Sequence, residues 1–451
     1  MKSENYDMFQ KIIEKDIPPY VYAYPTRSAQ REENIDIHAI WEKEDNYTSD
    51  IINLYLHYPF CKYKCGFCNL YSIANNELDV QDRYIEAMCK QLMLYKTIIE
   101  KRKIKTIFLG GGTPMLITKQ NIKRLVSTLD ELFPTWRDTC EEFCIEASPD
   151  SVVNAGVDGI KFLAECGITR INIGIQSFKK KDINNFGRDY EEDINFKAIA
   201  ILKEANIKNI STDLIAGFIG QTKQDFLDSV EILSTLQPNT ISIYHLRIRP
   251  DSKFGKEGKY NSNPDKEYYE WYEEAREIVL SKGFKQDTNV RFIRENGGYI
   301  QQDLQFKSFP VIGIGAGARS YTSTADYIIG GSSKPEISQI DKYIHDVETE
   351  SLKTRMVYHL DDEERIRRKL VLNLYHFDIN EIYQQYGNKY DYIFQDKLNK
   401  LVEIGMVSEN NGIYKLTKEG YKYRDIISWG FFSEEVQKRD KEFYSEIAKN
   451  K

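Results

Sequence analysis

The stretch LYLHYPFCKYKCGFCNLYS, residues 54–72, passes from an apolar strand directly into three cysteines with the spacing C-x3-C-x2-C. Iron–sulfur clusters are bound by cysteine thiolates, usually four of them. Three closely spaced cysteines can hold three irons of a cubane and leave the fourth iron without a protein ligand. The spacing therefore predicts that Cys61, Cys65 and Cys68 are the metal ligands of a [4Fe–4S] cluster with one open iron.

Two other interpretations of the three cysteines stay open. Zinc is the competing metal, but structural zinc sites normally have four ligands, often in two separated pairs. His57 could be the fourth ligand, although we expect the geometry of its strand to hold it away from the cysteine loop. Three unrelated thiols are the remaining interpretation, which the close spacing disfavours.

Outward from this stretch, apolar strands alternate with amphipathic helices, the pattern of parallel α/β architecture. The candidate strands are residues 52–57, 106–109, 143–146, 170–175, 209–214 and 240–245. The helical stretches between them include residues 83–100, 119–132, 196–205 and 222–235. Six units predict a partial (β/α)6 barrel of the TIM type, open on one side, with its functional groups at the C-terminal ends of the strands.

The chain divides into four predicted segments. Residues 1–50, with Pro18-Pro19 and Pro25, indicate an extended N-terminal arm over a later domain. Residues 51–265 form the predicted barrel. Residues 266–350 form an extension that completes the core and contains the glycine-rich VIGIGAGARSY (311–321), where small residues permit close backbone approach. Residues 351–451 include a helix, glycine turn, hairpin and helix, which predict a small α+β winged-helix-like domain.

Composition limits the class of protein. A net charge of −7 over 451 residues argues against a nucleic-acid partner, which normally requires a basic surface. Seven cysteines are too few, and odd in number, for a disulfide scaffold. No apolar run approaches the roughly 20 residues that cross a bilayer, and no secretory signal is evident. We therefore expect a cytoplasmic protein with no membrane partner.

The spacing and its flanks resemble the radical S-adenosylmethionine (SAM) superfamily. The pattern Y-x-H-x-P-F-C-x3-C-x-F-C is similar to the group named for oxygen-independent coproporphyrinogen III oxidase, which also contains heme chaperones and class C methyltransferases. Further matching motifs, in consistent order, are FLGGGTP (108–114), CIEASPD (144–150), RINIGIQSF (170–178), STDLIAGFIGQT (211–222) and VIGIGAGARSY (311–321). More loosely, the resemblance extends to 351–451, implying the HemN-type C-terminal domain of this group.

The resemblance implies the chemistry of the site. In the family, SAM chelates the open iron, and one electron from the reduced cluster cleaves SAM to methionine and a 5′-deoxyadenosyl radical. An electron donor such as flavodoxin or ferredoxin and a small-molecule substrate are the implied partners. The residues implied to bind SAM are Tyr55, Phe67, Gly111, Gly112, Thr113 and Glu146.

The group's oxidase binds a second SAM molecule, and the resemblance implies that this chain does so too. The matching positions are Gly112, Thr113, Gln176, Arg188 and Asp213. Taken singly, Arg188 or Asp213 would be an ordinary surface or ion-pairing residue. Their joint match in type and spacing favours a zwitterionic ligand with a sulfonium centre.

Two departures from the family pattern restrict the specific function. The oxidase typically has a further cysteine two residues after its third cluster ligand, where this chain has Leu70. Heme chaperones resemble H-N-x-x-Y-W before the glycine-rich strand, whereas residues 291–310 contain no histidine; His245 and His57 remain possible heme ligands. These departures favour class C methyltransferase-like carbon–carbon chemistry on an unsaturated substrate. A coproporphyrinogen oxidase-like porphyrin enzyme and a non-catalytic heme chaperone or carrier are the alternatives, and the catalytic residues are not identified.

Overall fold

The protein is represented by a computed structural model that describes residues 20–46, 50–75, 77–191, 193–259, 265–330, 335–352 and 354–449. Residues 1–19 and 47–49 of the predicted N-terminal arm, with Pro18-Pro19, lie outside the described residues. The strands, in chain order, are β1 Arg31–Glu32, β2 Ile51–Tyr58, β3 Phe60–Cys61, β4 Ile73–Ala74, β5 Lys103–Gly111, β6 Glu142–Ala147, β7 Arg170–Gln176, β8 Asn209–Ala216, β9 Thr240–His245, β10 Lys285–Gln286, β11 Arg291–Ile293, β12 Val311–Ile314, β13 Arg319–Tyr321, β14 Ala325–Ile329, β15 Thr354–His359, β16 Phe377–Asp378, β17 Val407–Asn410 and β18 Ile413–Leu416.

Helices connect most of these strands and cover the sheet. They are Ile37–Glu44, Leu78–Leu94, Lys96–Ile99, Lys119–Leu132, Trp136–Thr139, Pro149–Glu165, Lys180–Asn185, Ile194–Glu204, Lys223–Thr235, Lys253–Lys256, Asp265–Ser281, Ile300–Phe306, Ile337–Glu348, Asp362–Leu372, Ile379–Tyr386, Asp391–Glu403, Lys418–Lys422, Arg424–Trp429 and Glu434–Lys449, with short 3-10 turns at Arg27–Ala29 and Pro114–Leu116. In the part of the chain that the structure describes, no helix combines the length and apolar character needed to span a membrane.

All six predicted core strands are present and parallel, in the order β2-β5-β6-β7-β8-β9. This arrangement confirms the α/β, TIM-type class of the core. The glycine-rich stretch adds a seventh parallel strand that the sequence did not place, because β12 pairs with β2 on its outer side. Parallel strands with helices on their faces are buried on both sides, which explains the near-continuous apolar sequence of β2.

Antiparallel strands extend both edges of this core. Strand β11 pairs with β9, while β13, β14, β15 and β1 continue outward from β12. Within the described residues the sheet has thirteen strands and its first and last strands, β1 and β10, are not paired with each other. The barrel is therefore open, as predicted.

A second hydrophobic core lies in the C-terminal region. It gathers fully buried side chains such as Ile366, Leu370 and Leu398 around a three-stranded antiparallel sheet of order β16-β18-β17. The predicted helix, glycine turn, hairpin and helix are all present there, with Gly405 at positive φ in the turn. The division of the chain into four segments stays a prediction.

The N-terminal segment packs on this second core. Val21 and Tyr24 belong to it, and the backbone N–H of Val21 donates to Asp425 at 3.0 Å. Further on, the Ser28 hydroxyl donates to Asp440 at 2.6 Å. The segment then enters the large sheet as β1, so it joins the C-terminal core to the barrel extension.

Candidate iron–sulfur and cofactor site

The three cysteines lie on one loop at the C-terminal end of β2. Cys61 ends the short strand β3, and the N–H of Cys68 donates to the carbonyl of Cys65 at 3.0 Å. Cys61 and Cys65 are buried, each 8% exposed, while Cys68 is partly exposed. The structure thus brings all three predicted ligands together where the barrel's functional end was expected.

Backbone contacts fix the position of this loop. The N–H of Gly66 donates to the carbonyl of Phe186 at 2.9 Å, and the carbonyl of Gly66 accepts from the N–H of Phe254 at 2.8 Å. A Cβ at Gly66 would lie 2.0 Å from a ring carbon of Phe254, so only glycine fits. The loop is therefore held by two segments that follow β7 and β9.

The thiols are electrostatically coupled to one another. Burial, together with neighbouring Cys68, raises the pKa of Cys61 to about 11, although hydrogen bonding to Thr113 opposes the shift. Burial also raises the pKa of Cys68, and nearby Cys65 adds to the effect. Thiolates at these positions need a compensating positive charge, which a bound metal supplies.

The ligand chemistry fits a cluster. All seven cysteines are free thiols. Across the described ranges, no three His, Cys, Asp or Glu side chains group as ligands of a single metal ion. A [4Fe–4S] cubane does not require three ligands around one ion, because each of the three cysteines binds a different iron.

His57 is neutral and fully occupied by hydrogen bonds. Its Nε2 lies 2.7 Å from the carbonyl of Tyr71, and its Nδ1 lies 2.9 Å from the hydroxyl of Tyr55. Because a carbonyl only accepts, Nε2 carries the proton and Nδ1 accepts from Tyr55. Burial lowers the pKa of His57 to about 4. Both nitrogens are committed, so His57 is not a fourth ligand, as the strand geometry suggested.

The glycine turn after β5 is tied to the cysteine loop. The N–H of Gly112 donates to the carbonyl of Tyr58 at 2.7 Å, and that of Thr113 donates to the carbonyl of Phe60 at 2.8 Å. A Cβ at Gly112 would lie 2.4 Å from the Phe60 carbonyl oxygen. These glycines let the turn pass directly beside the strand that leads to Cys61.

Glu146 is held by the same turn. Its Oε2 accepts the N–H of Gly111 at 2.8 Å, and Gly111 has a φ of +120°. Burial raises the pKa of Glu146 to about 7; the Gly111 hydrogen bond opposes the shift, and nearby Asp213 reinforces it. Glu146 is thus a buried carboxylate held by the glycine turn.

Gln176, Arg188 and Asp213 meet around Gly174. Arg188 Nη1 donates to the carbonyl of Gly174 at 2.9 Å, and Gly174 is in register with Asp213 on the next strand. A Cβ at Gly174 would lie 2.4 Å from Gln176 Nε2. Gln176 itself has a φ of +69°. The structure therefore brings together three of the five residues predicted for the second cofactor, Gln176, Arg188 and Asp213, while Gly112 and Thr113 lie on the turn after β5.

Two further observations concern Arg188 and Gln176 of this second set. Burial acts to lower the pKa of Arg188, but Cys65 and Tyr190 outweigh it and the pKa is raised. Arg188 therefore connects the second set to the cysteine loop. The Gln176 Oε1 atom is buried and has no hydrogen-bond partner within the described part of the chain. A buried unpaired acceptor is costly, so this atom is available to accept from a donor on water or on a bound molecule.

Tyr55 and Phe67, the aromatic residues predicted to contact the cofactor, both pack against neighbouring aromatic rings. The Tyr55 ring stacks on Phe108 at 6.0 Å between centroids, and Phe108 stacks on Tyr299 at 5.2 Å. Phe67 packs against Phe186 and Phe218 beside the cysteine loop. Simple packing accounts for these contacts.

Arg170 and Asn172 are polar site residues that sequence reasoning missed. Arg170 stands 4.3 Å over the ring of Tyr299 and donates to Cys144 Sγ at 3.1 Å. Asn172 Nδ2 donates to Asp213 at 2.8 Å. The signal was available, since RINIGIQ alternates and places residues 170, 172, 174 and 176 on one face of β7. The bond to Arg170 also gives Cys144 a structural role.

The comparisons with known proteins agree with this geometry. Residues 55–233 match the Radical SAM superfamily. The heme chaperone HemW of Bacillus subtilis is 25% identical over 388 residues, which cover 84% of this chain and 99% of that protein. The oxygen-independent coproporphyrinogen III oxidase of Synechocystis sp. is 29% identical over 206 residues, covering 46% of this chain and 43% of that protein.

A solved structure shares the fold over nearly the whole chain. Coproporphyrinogen III oxidase (HemN) from Escherichia coli superposes with a TM-score of 0.78 at 20% identity, covering 92% of this chain and 97% of that one. The three grouped thiols and the unpaired acceptor of Gln176 fit a cluster and a cofactor beside it. Over these lengths the chain is similar to radical SAM proteins of the HemN/HemW-like group.

Proposed function

We propose that this chain is a radical SAM protein that carries heme, of the heme-chaperone type. The observation that carries the proposal is the match to a protein named heme chaperone HemW, which extends over 99% of that protein. Leu70, 51% exposed, stands where the oxidase group has its additional cysteine, which weighs against decarboxylation. The methyltransferase-like chemistry expected from the sequence receives no support from these relatives, and heme carriage replaces it.

The cysteine loop would hold the [4Fe–4S] cluster through Cys61, Cys65 and Cys68. When bound, cluster and SAM together supply one-electron cleavage of the sulfonium carbon–sulfur bond. Arg188, which reaches Cys65, would offset part of the negative charge of the thiolates. The apolar side chains of Phe186 and Phe254 pack with Cys65 and shield that side of the loop from water.

The glycine turn and its carboxylate would bind the first SAM. Gly111 keeps Glu146 in place with one hydrogen bond, so the carboxylate does not have to reorganise when a cationic group arrives. Tyr55 and Phe67 would contact the cofactor from the sides. SAM binding would also raise the ionised fraction of Glu146, because a nearby positive charge favours the charged form.

A second SAM molecule is a further candidate, favoured by one observation. The orphaned Oε1 of Gln176 lies beside Arg188 and Asp213, and together they offer an acceptor, a cation and an anion. A zwitterionic amino acid group matches that set. Equilibrium dialysis of the cluster-loaded protein tests it: two SAM per cluster are expected, falling to one in Gln176→Ala.

His245 is our candidate for the axial heme ligand. It ends β9, at the C-terminal end of the core strands, and its ring packs 4.1 Å from that of Tyr268. His57 is excluded because both of its ring nitrogens are hydrogen-bonded. Neutral imidazole is a common axial ligand of heme iron.

Anaerobic heme titration of the cluster-loaded full chain tests the proposed function. A stoichiometric Soret shift is expected, with weaker or spectrally altered binding in His245→Ala and unchanged binding in the exposed-ring variant His345→Ala. Conversion of coproporphyrinogen III to protoporphyrinogen IX in the presence of SAM and dithionite would instead establish the oxidase. Absence of heme binding at micromolar concentration would overturn heme carriage.

A further inference from the structure

A cleft lies between the start of β12 and the helix Asp362–Leu372. It encloses about 170 Å³ and is lined on one side by residues 307–310 and on the other by that helix. Pro310 directly precedes β12, whose first residue pairs with Asn53 near the start of β2. The cleft is therefore at the opposite end of the strands from the cysteine loop and is separate from the cofactor site. We call it the basal cleft.

Basic side chains dominate the lining of the basal cleft. Arg365, Arg368 and Lys369 occupy positions i, i+3 and i+4 of the helix Asp362–Leu372, so they share one of its faces. Lys307 lines the other side. Four cations from two separate segments of the chain therefore surround one small cavity.

Two of these four cations have carboxylate partners at the edge of the cleft. Arg365 is paired with Asp362 of the same helix. Lys369 lies 3.6 Å from Glu381. Lys307 is exposed and has no ion pair within the part of the chain that the structure describes. Its charge is therefore available to a bound anion.

Arg368 is a buried cation whose charge is not neutralised. It is 4% exposed, and its Nε and Nη1 donate to the carbonyls of Tyr24 at 2.9 Å and Thr322 at 2.6 Å. Its Nη2 has no hydrogen-bond partner among the described residues and lies 3.9 Å from Asp326. Both oxygens of Asp326 already accept from Arg319, at 2.7 and 2.5 Å. Burial lowers the pKa of Arg368, and the attraction of Asp326 does not outweigh it.

Two further polar groups line the basal cleft. The hydroxyl of Ser308 is buried and has no hydrogen-bond partner in the described ranges, so it is a second unused donor. Glu44 contributes a carboxylate, and its two oxygens accept from the N–H of Ser323 at 2.6 Å and from its hydroxyl at 3.1 Å. Burial raises the pKa of Glu44 and so favours its neutral form. Glu44 therefore opposes an anion only weakly.

We propose that the basal cleft binds a phosphate group, either as free phosphate or as a small phosphomonoester. Lys307 and Arg368 supply two positive charges without a neutralising partner, which match a phosphate dianion better than a single carboxylate. The guanidinium of Arg368 and the hydroxyl of Ser308 add donors for its oxygens. Because Lys307 and Arg368 belong to different segments, bound phosphate would link the start of β12 to the C-terminal helix.

Equilibrium dialysis of the full chain against radiolabelled inorganic phosphate tests the proposal, with labelled glycerol 3-phosphate as the monoester probe. The cleft variants are Lys307→Gln and Arg368→Gln. Lys208→Gln is the matched control, because it removes the same charge from the exposed turn before β8. Arg368 also bonds to two backbone carbonyls, so thermal unfolding first establishes whether Arg368→Gln folds. If it does not, the exposed Lys307 variant decides the question.

We expect one phosphate per chain with a Kd of about 1 mM or below. Binding should be roughly tenfold weaker in each cleft variant, because each loses a charge-assisted contact, and unchanged in Lys208→Gln. Phosphate should also raise the Tm of the wild-type chain. Tighter binding of glycerol 3-phosphate than of phosphate would support the cleft as an ester site, and the reverse order as a site for free phosphate. Absence of saturable binding of both probes up to about 10 mM would overturn the proposal. Binding that Lys307→Gln leaves unchanged would overturn it as well.

Discussion

The N–H of Gly111 and Oε2 of Glu146 are joined by a 2.8 Å hydrogen bond that links the C-terminal ends of β5 and β6. The same glycine turn is bonded to the backbone on both sides of Pro59, two residues before Cys61. The cysteine loop, the glycine turn and the Glu146 carboxylate are therefore joined by hydrogen bonds. A substitution in one of them is expected to change the geometry of the other two.

Substituting the cysteine ligands should abolish cluster binding. Cys61→Ala, Cys65→Ala and Cys68→Ala are each expected to lower the iron content of the anaerobically reconstituted protein from about four atoms per chain to less than one. Cys140→Ala is the matched control, because that thiol lies outside the cysteine loop and donates to the carbonyl of Glu142 at 3.4 Å. Iron and sulfide assays give the answer, and full iron content in the Cys68 variant would remove that residue from the ligand set.

Glu146 should make the cofactor-free protein less stable as the pH rises. Its pKa increases from 4.5 to about 7 on folding, mainly through burial, so the folded state binds a proton that the unfolded state has released. Its contribution to the free energy of unfolding therefore falls between about pH 4.5 and 7. Glu146→Gln stays neutral and should lose less stability over that interval. Urea unfolding at several pH values measures this difference, which parallel curves would contradict.

His57 is expected to make the protein less stable as the pH falls. Burial lowers its pKa from 6.5 to about 4, so the unfolded chain binds a proton that the folded protein excludes. The stabilising effect is complete above pH 6.5 and is lost as the pH falls toward 4. His57→Gln should reduce the loss of stability between about pH 6.5 and 4, whereas His345→Gln, which changes an exposed ring, should not. The same urea series, extended to pH 4, compares the three proteins.

Gly317 should tolerate no side chain. It has a φ of +75°, and a Cβ there would lie 2.6 Å from the ring of Tyr71, which follows the cysteine loop. Gly387 has a similar φ of +60° but open space around it. Both positions have a backbone conformation that favours glycine, so each alanine variant carries a cost of about 1–3 kcal/mol, and only Gly317→Ala adds about 1–3 kcal/mol of overpacking. Thermal unfolding should rank the two in that order, and equal losses would rule out the contact with Tyr71.

The local parts of the structure could be predicted from the sequence. The core strands follow from apolar runs that end in chemistry-bearing residues, and the grouping of Cys61, Cys65 and Cys68 on one loop follows from their close spacing. The pairing of β12 with β2 could not, because it joins segments about 250 residues apart whose local pattern contains no partner information. The small residues of 311–321 indicated close backbone approach, but not which strand lies beside them.

The sequence indicated which residues belong to the site, but not which atoms those residues contact. Resemblance named Gln176 and Arg188, while the positive φ of Gln176 and the approach of Arg188 to Cys65 depend on how the loop after β7 folds back. The tautomer of His57 depends on the carbonyl of Tyr71, which only the folded loop brings near. Such facts arise from packing between distant elements. They are absent from any local pattern.

The attachment of the N-terminal segment has a consequence for synthesis. Val21 bonds to Asp425, 404 positions later, and Ser28 to Asp440, 412 positions later. These first residues leave the ribosome long before their partners exist, at a rate of about 5–20 residues per second. These two bonds cannot form until residues 425 and 440 have been synthesised and released. The attachment of the N-terminal segment is therefore a late step of assembly, and a chain cut before residue 425 would leave Val21 and Ser28 without these two partners.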